Sequence, residues 1–207
     1  MVISHGFAAD RKFLKYLARH LASHGFTVVA LDHPGSNIAA LFQTAVSMKL
    51  SKLLPASEFI DRPQDVTFLL DKLEKLNRRK GILQGKINTK QVTVIGHSYG
   101  SYTALALAGA ELNPRALREF CQALTPLERS PADWLQCAAA ELPYGKRQFR
   151  DPRVVRVIAL NPIIGNLFGN DLSGVRVPTL IFIFLLTTAL PRLSPINYNP
   201  LSNCEGK

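Results

Sequence analysis

Residues 92–100 read Val92-Thr93-Val94-Ile95-Gly96-His97-Ser98-Tyr99-Gly100, and the next ten read Ser101-Tyr102-Thr103-Ala104-Leu105-Ala106-Leu107-Ala108-Gly109-Ala110. Four strand-forming residues stop at a glycine, and a helix of small apolar residues runs from Ser98 to about Ala110. Between them lies the pattern G-x-S-x-G. A serine on a tight strand-to-helix turn projects its hydroxyl above the sheet, in a strained backbone conformation. Gly96 and Gly100 leave room for strand and helix to approach. The turn also places Ser98 at a helix N-terminus, whose free N–H groups and dipole favour a developing negative charge. A chance match in a structural turn would lack the flanking strand and helix; here both are present.

Working outward, Val2-Ile3-Ser4 reads as a short strand entering the turn His5-Gly6. Asp10 is a candidate N-cap for a helix carrying Phe13, Leu14, Leu17, Ala18 and Leu21, which Gly25 stops. Residues 27–32 form a buried strand before the turn His33-Pro34-Gly35. A helix is expected from about Pro63 to Asn77, with Val66, Leu69, Leu70, Leu73 and Leu76 on one face. Further strands are expected at 154–160 and 177–182. Strands alternating with amphipathic helices predict an α/β fold, a mostly parallel sheet with helices on both faces. Residues 111–150 interrupt that rhythm with helices starting at Pro114 and Pro131. They are read as a helical lid, with a plain peripheral helical pair as the alternative. One domain is expected over residues 1–183, and residues 184–207 are expected to form an irregular tail, apolar at first and then dominated by Pro, Asn and Ser over the last seventeen residues.

A serine nucleophile working through a tetrahedral intermediate needs two N–H donors for the oxyanion. The segment Ser4-His5-Gly6-Phe7 has the form of the loop that supplies the second donor, so the backbone amides of Phe7 and Tyr99 are the candidates. His5 fits a loop-shaping residue better than a base. At this point the chain resembles the α/β-hydrolase superfamily, and within it the serine esterase branch of platelet-activating factor acetylhydrolases, cutinases and predicted dienelactone hydrolases. The resemblance rests on residues 2–7, on residues 21–26 leading into Leu31-Asp32-His33-Pro34-Gly35, on the G-x-S-x-G turn, and on Asp61-Arg62-Pro63-x-Asp65. It covers residues 1–183. It implies a carboxylic ester hydrolase with an acyl-serine intermediate and no cofactor. Dienelactone hydrolases proper use cysteine in the elbow, so Ser98 directs the expectation towards esters.

The resemblance also exposes a gap. Serine needs a base, and in this fold the order along the chain is Ser, then Asp or Glu, then His. The five histidines are His5, His20, His24, His33 and His97, and none follows Ser98. His97 adjoins Ser98 on a strand, where neighbours point to opposite faces, so it is not the base. For the acid, Asn161 stands where some acetylhydrolases carry Asp, and Asp171 is a second candidate. Both ends look cut against the family pattern, as if a frameshift or abnormal terminus near residue 183 had replaced the normal ending. The chain is therefore expected to be inactive or severely impaired, with a non-catalytic binding protein of the same fold as the alternative.

Bulk composition excludes other classes. The chain has 207 residues, 47% hydrophobic and 19% charged, which suits a globular domain and not a disordered one. Its net charge of +10 is spread along the chain, and the densest run, Arg78-Arg79-Lys80, sits at a helix end where cations are favoured anyway. No nucleic-acid partner is inferred. Cys121, Cys137 and Cys204 form no metal or redox motif and are read as buried free thiols, so no metal is expected. The uncharged run 177–190 is shorter than the roughly 18 residues a spanning helix needs, and no leader is visible, so the default location is cytoplasmic. The expected partner is a small-molecule ester or lipid-like substrate, its acyl pocket lined by residues 111–150 and 162–168; the oligomeric state is open.

Overall fold

The register of the strands explains why this sequence makes two cores. In the computed structural model, which describes residues 1–46, 54–162, 165–169 and 171–183, five strands lie all parallel. They are β1 (Val2–Ser4), β2 (Val29–Leu31), β3 (Val92–His97), β4 (Val154–Leu160) and β5 (Thr179–Phe182), in the order β2-β1-β3-β4-β5. Val2, Val94 and Val157 stand in register on one face, and Ile3, Ile95 and Ile158 on the other. Side chains alternate between faces of a strand, so each row needs its own cover.

The valine face receives α3 (Glu58–Arg78) and α4 (Tyr99–Ala108), through Phe59, Val66, Leu70, Tyr102 and Leu105. The isoleucine face receives α1 (Lys15–Ser23), with Leu14, Leu17, Ala18 and Leu21. An α/β fold with helices on both faces is what these rows require.

Several boundaries differ from the sequence expectation. Asp10 does not cap α1: its Oδ1 accepts the amide of Lys12 at 2.8 Å, and the helix starts at Lys15. A short Asp side chain bonding the backbone two residues on favours a turn over a helix. The strands β2 and β5 are shorter than expected, and α2 (Ile38–Val46) was not anticipated.

The helix α3 begins at Glu58, so Pro63 lies inside it. Proline removes the N–H that would serve the carbonyl of Phe59, four residues earlier. The hydroxyl of Tyr102 donates to that carbonyl instead. A tertiary donor thus replaces the helical one, which periodicity alone does not reveal.

Residues 111–150 hold α5 (Pro114–Ala123) and α6 (Pro131–Cys137). Asn113 and Ser130 cap them with a proline following each, and Cys121 is bonded to Cys137. The disulfide corrects the expectation of free thiols: the two helices face each other, which a one-dimensional spacing of 16 does not show. Closing a loop of that size stabilises by about 3 kcal/mol in the chain-entropy account. Cys204 and the tail from residue 184 lie outside the described residues. No described helix is long and apolar enough to cross a membrane.

Candidate active site

Ser98 closes β3 and precedes the first residue of α4 with φ 52° and ψ −115°. Positive φ at a residue with a Cβ is strained, and only surrounding structure holds it. Here that structure is close-fitting. A Cβ on Gly96 would sit 2.1 Å from the carbonyl oxygen of Gly100, and one on Gly100 would sit 2.1 Å from that of Ser4. Both contacts are with backbone, so neither position accepts another residue without separating strand from helix. Ser98 donates its amide to the carbonyl of Leu160 at 2.8 Å, and Ser101 Oγ donates to the Gly96 carbonyl at 3.0 Å. Ser98 is half-buried, at the junction of sheet and helix.

The β1 loop passes directly beside it. A Cβ on Gly6 would stand 3.3 Å from the Cβ of Ser98. Among the described residues, neither the Phe7 nor the Tyr99 amide has an acceptor. Gly6 and Ser98 bring the Phe7 and Tyr99 segments side by side around one hydroxyl.

Behind that loop lies a buried polar cluster that sequence reading had not assigned. Arg62, fully buried, donates from Nη1 to Ser36 Oγ at 2.7 Å, from Nε to Thr103 Oγ1 at 3.2 Å, and from Nη2 to Ser4 Oγ at 3.2 Å and to the His5 carbonyl. His5 Nδ1 donates to the Gly6 carbonyl at 2.6 Å, while its Nε2 accepts the amide of His33 at 3.0 Å. That pattern requires a neutral imidazole protonated on Nδ1. His33 lies 2.8 Å from Asp65 Oδ2 through Nδ1 and 2.9 Å from Ser4 Oγ through Nε2.

The electrostatics are set by desolvation. Burial holds the imidazole of His33 well below its usual range and lowers that of His5, with Arg62 adding in both cases. Burial first, then Glu58, pushes the carboxyl of Asp65 up to about 6, and Arg62 is lowered by burial to about 10. The His33–Asp65 contact at neutral pH is therefore a hydrogen bond from a neutral imidazole to a carboxylate rather than an ion pair. Ser4, His33 and Asp65 are hydrogen-bonded in the sequence serine–imidazole–carboxyl of a hydrolytic triad, yet Ser4 and His33 are wholly buried and unreachable by substrate. The segment Asp61-Arg62-Pro63-x-Asp65 was the available signal, but nothing along the chain says that a helix carries Arg62 underneath two loops.

The acid candidates lie on the other side of the elbow. Asn161 follows Leu160 at the end of β4, with φ 47° and its amide donating to the Phe182 carbonyl at 2.7 Å. An amide side chain accepts no proton at neutral pH. Asp171 is exposed and caps a turn: its Oδ1 accepts the Ser173 amide at 2.9 Å, and hydrogen bonds from Ser173 hold its carboxyl below the usual range. No hydrogen bond among the described residues joins it to Ser98.

Two expected pocket-lining side chains, Leu167 and Phe168, are instead buried in the valine-face core, Phe168 with its ring 5.6 Å from that of Tyr102. Residues 163 and 164 lie outside the described residues. A cleft of about 750 Å³ lies along α5, bounded by Asn113, Arg118, Glu119, Gln122 and Tyr144; it includes no elbow residue and is walled by charge. Among the described residues no cluster of His, Cys, Asp and Glu is arranged to hold a metal.

The sequence over residues 1–159 matches the model of a family described as alpha/beta hydrolase fold. Among curated proteins none matches the chain.

Proposed function

The chain belongs to the α/β-hydrolase fold family, and on that premise we propose that it is a serine hydrolase of carboxylic esters, built on Ser98 and impaired in turnover. Membership of the family points to hydrolase activity in general. The proposal goes further, to ester specificity, to kinship with the acetylhydrolase, cutinase and dienelactone-hydrolase-like branch, and to a small or lipid-like acyl substrate. The observation that carries the reading is the backbone of Ser98, φ 52° between a strand end and a helix start, with Gly6, Gly96 and Gly100 packed against it. Strain of this kind persists only where surroundings enforce it.

In the proposed reaction Ser98 Oγ attacks the ester carbonyl, and the oxyanion is received by the amides of Phe7 and Tyr99, the latter at the start of α4. Residues 111–150 would cover the acyl group as a lid. The alcohol leaves and an acyl-serine remains for water to cleave. Both half-reactions need a proton acceptor, and none of the five histidines follows Ser98. In subtilisin, loss of the histidine costs about 10⁶ in kcat, with roughly 10³ to 10⁴ over water retained by oxyanion stabilisation and binding. A comparable deficit is expected of these 207 residues taken by themselves.

A direct test supplies the base from solution. The chain is incubated with p-nitrophenyl butyrate and rising imidazole, beside Ser98→Ala. An imidazole-dependent rate above that of the variant is the expected result. Equal rates for both chains at every imidazole concentration would refute Ser98 as the nucleophile. The lack of a downstream imidazole favours a second reading, a non-catalytic member that binds an ester or carboxylate at the same amides. It predicts saturable binding with nitrophenol release no faster than that of Ser98→Ala at any imidazole concentration.

A further inference from the structure

Arg62 is a charge placed in the core with no carboxylate in direct ion-pair contact among the described residues, although it is wholly buried; Glu58 and Asp65 act on it from further away. A buried cation without a direct counter-ion is costly, and its hydrogen-bond partners here are three hydroxyls and one carbonyl. What those partners share is position. Ser4 and His5 belong to the strand end and loop leading to Phe7, Ser36 to the loop after β2, and Thr103 to the first turns of α4. The guanidinium carbon also lies 4.4 Å from the ring centroid of Tyr99.

We propose that Arg62 is a positioning residue for the oxyanion site, one rigid fork that fixes the Phe7 and Tyr99 amides relative to each other. The chain of constraint can be followed bond by bond. Arg62 holds the carbonyl of His5, and the imidazole of His5 holds the carbonyl of Gly6. The Gly6–Phe7 peptide is trans, so its carbonyl and the Phe7 N–H point in opposite directions. Drawing the carbonyl into the buried cluster turns the N–H outward, on the side of Ser98. Ser36 secures the loop from its other end: its Oγ accepts from Arg62 and its carbonyl accepts the amide of Ala8 at 2.9 Å. On the α4 side, the bond to Thr103 and the contact with the Tyr99 ring fix the second donor. Lysine cannot reproduce this, having one nitrogen where arginine presents a planar fork.

The inference rests on Ser98 being the nucleophile, so the test separates the two. Phenylboronic acid is titrated into the full chain and followed by boron NMR. The Oγ–B bond forms, boron becomes tetrahedral, the hydroxyl proton passes to buffer, and no bond of the boronic acid breaks. The wild-type chain should give the tetrahedral signal and Ser98→Ala should not. A signal in both, or in neither, overturns the nucleophile assignment itself. With that assignment standing, Arg62→Lys should weaken the adduct at least about tenfold, since misdirected oxyanion donors lose most of their effect. Ser36→Ala, which removes one anchor of the fork and opens little space, should weaken it by about threefold. Near-ultraviolet circular dichroism on the same samples shows that each variant is folded. Folded variants that both bind within twofold of wild type would overturn the role given to Arg62; if Arg62→Lys does not fold, Ser36→Ala decides alone.

Discussion

The two sides of the elbow are built differently. On the side of β1 and β2, the Phe7 loop rests on a dense set of hydrogen bonds among Arg62, His5, His33 and Ser36, with Gly6, Gly96 and Gly100 at close backbone contacts, while Glu58 Oε2, His97 Nδ1 and the Tyr99 hydroxyl are buried there without a partner among the described residues. On the side of β4 and β5, Asn161 ends a strand, Asp171 caps an exposed turn, and Leu180, Phe182 and Ile183 are each about half exposed. The helical pair that sits against the segment after β4 is joined to it by the bonds Asn113 N–H to Leu167 O and Asn166 N–H to Gln136 Oε1. The side that carries the proposed donors is held by many bonds. On the other side, neither Asn161 nor Asp171 is hydrogen-bonded to Ser98 among the described residues.

Substitutions at glycine test that contrast most sharply. Gly100→Ala drives a methyl into the Ser4 carbonyl and should destabilise by about 3 kcal/mol or more. Gly165→Ala, with nothing within 4 Å of its added carbon among the described residues, should stay within about 0.5 kcal/mol. Urea denaturation of both measures the difference, and similar losses would erase the distinction between the two sides.

Around α5 and α6 a covalent link adds to the polar bonds. Reducing Cys121–Cys137 should lower stability by about 3 kcal/mol and loosen α5 and α6 before the sheet. Hydrogen exchange resolved by segment checks the order, and uniform loosening of all elements would count against it.

A smaller effect sharpens the tight side. Tyr102→Phe leaves the Phe59 carbonyl without its donor and should cost about 1–2 kcal/mol. In a Pro63→Ala background, where the helix can supply its own N–H, the same change should cost less than half as much. Equal costs in both backgrounds would show that the hydroxyl does not stand in for the helical bond.

The smallest expected effect is the pH dependence of stability. His5 and His33 stay neutral in the fold but take protons near 6.5 when unfolded, so acidification below that point favours the unfolded chain. Asp65 acts oppositely: its carboxyl, raised to about 6 in the fold against about 3.9 unfolded, protonates first in the native state and offsets part of that loss. Asp65→Asn should therefore steepen the fall of the thermal midpoint between pH 6 and 4. A shallower fall would reverse the assigned sign.

How much of this could be read along the chain follows the range of the interactions. The strand–turn–helix at residues 92–108 was legible because periodicity, glycines and serine are all local. So were the capped starts of α5 and α6 at Pro114 and Pro131. The start of α3 was placed too late because its proline is accommodated by a tyrosine 39 positions further on. The disulfide and the fork of Arg62 were missed for the same reason, as each joins segments whose proximity only the fold creates. The segment after β4 was read as pocket lining because apolar residues look alike whether they face a ligand or a core.

The most direct measurement locates the acyl group. After incubation with p-nitrophenyl acetate and imidazole, tandem mass spectrometry of the digested chain should place an acetyl group on the Oγ of Ser98, lost in Ser98→Ala. Acetyl groups on lysines alone, at equal levels in both chains, would contradict the assignment of Ser98 as nucleophile.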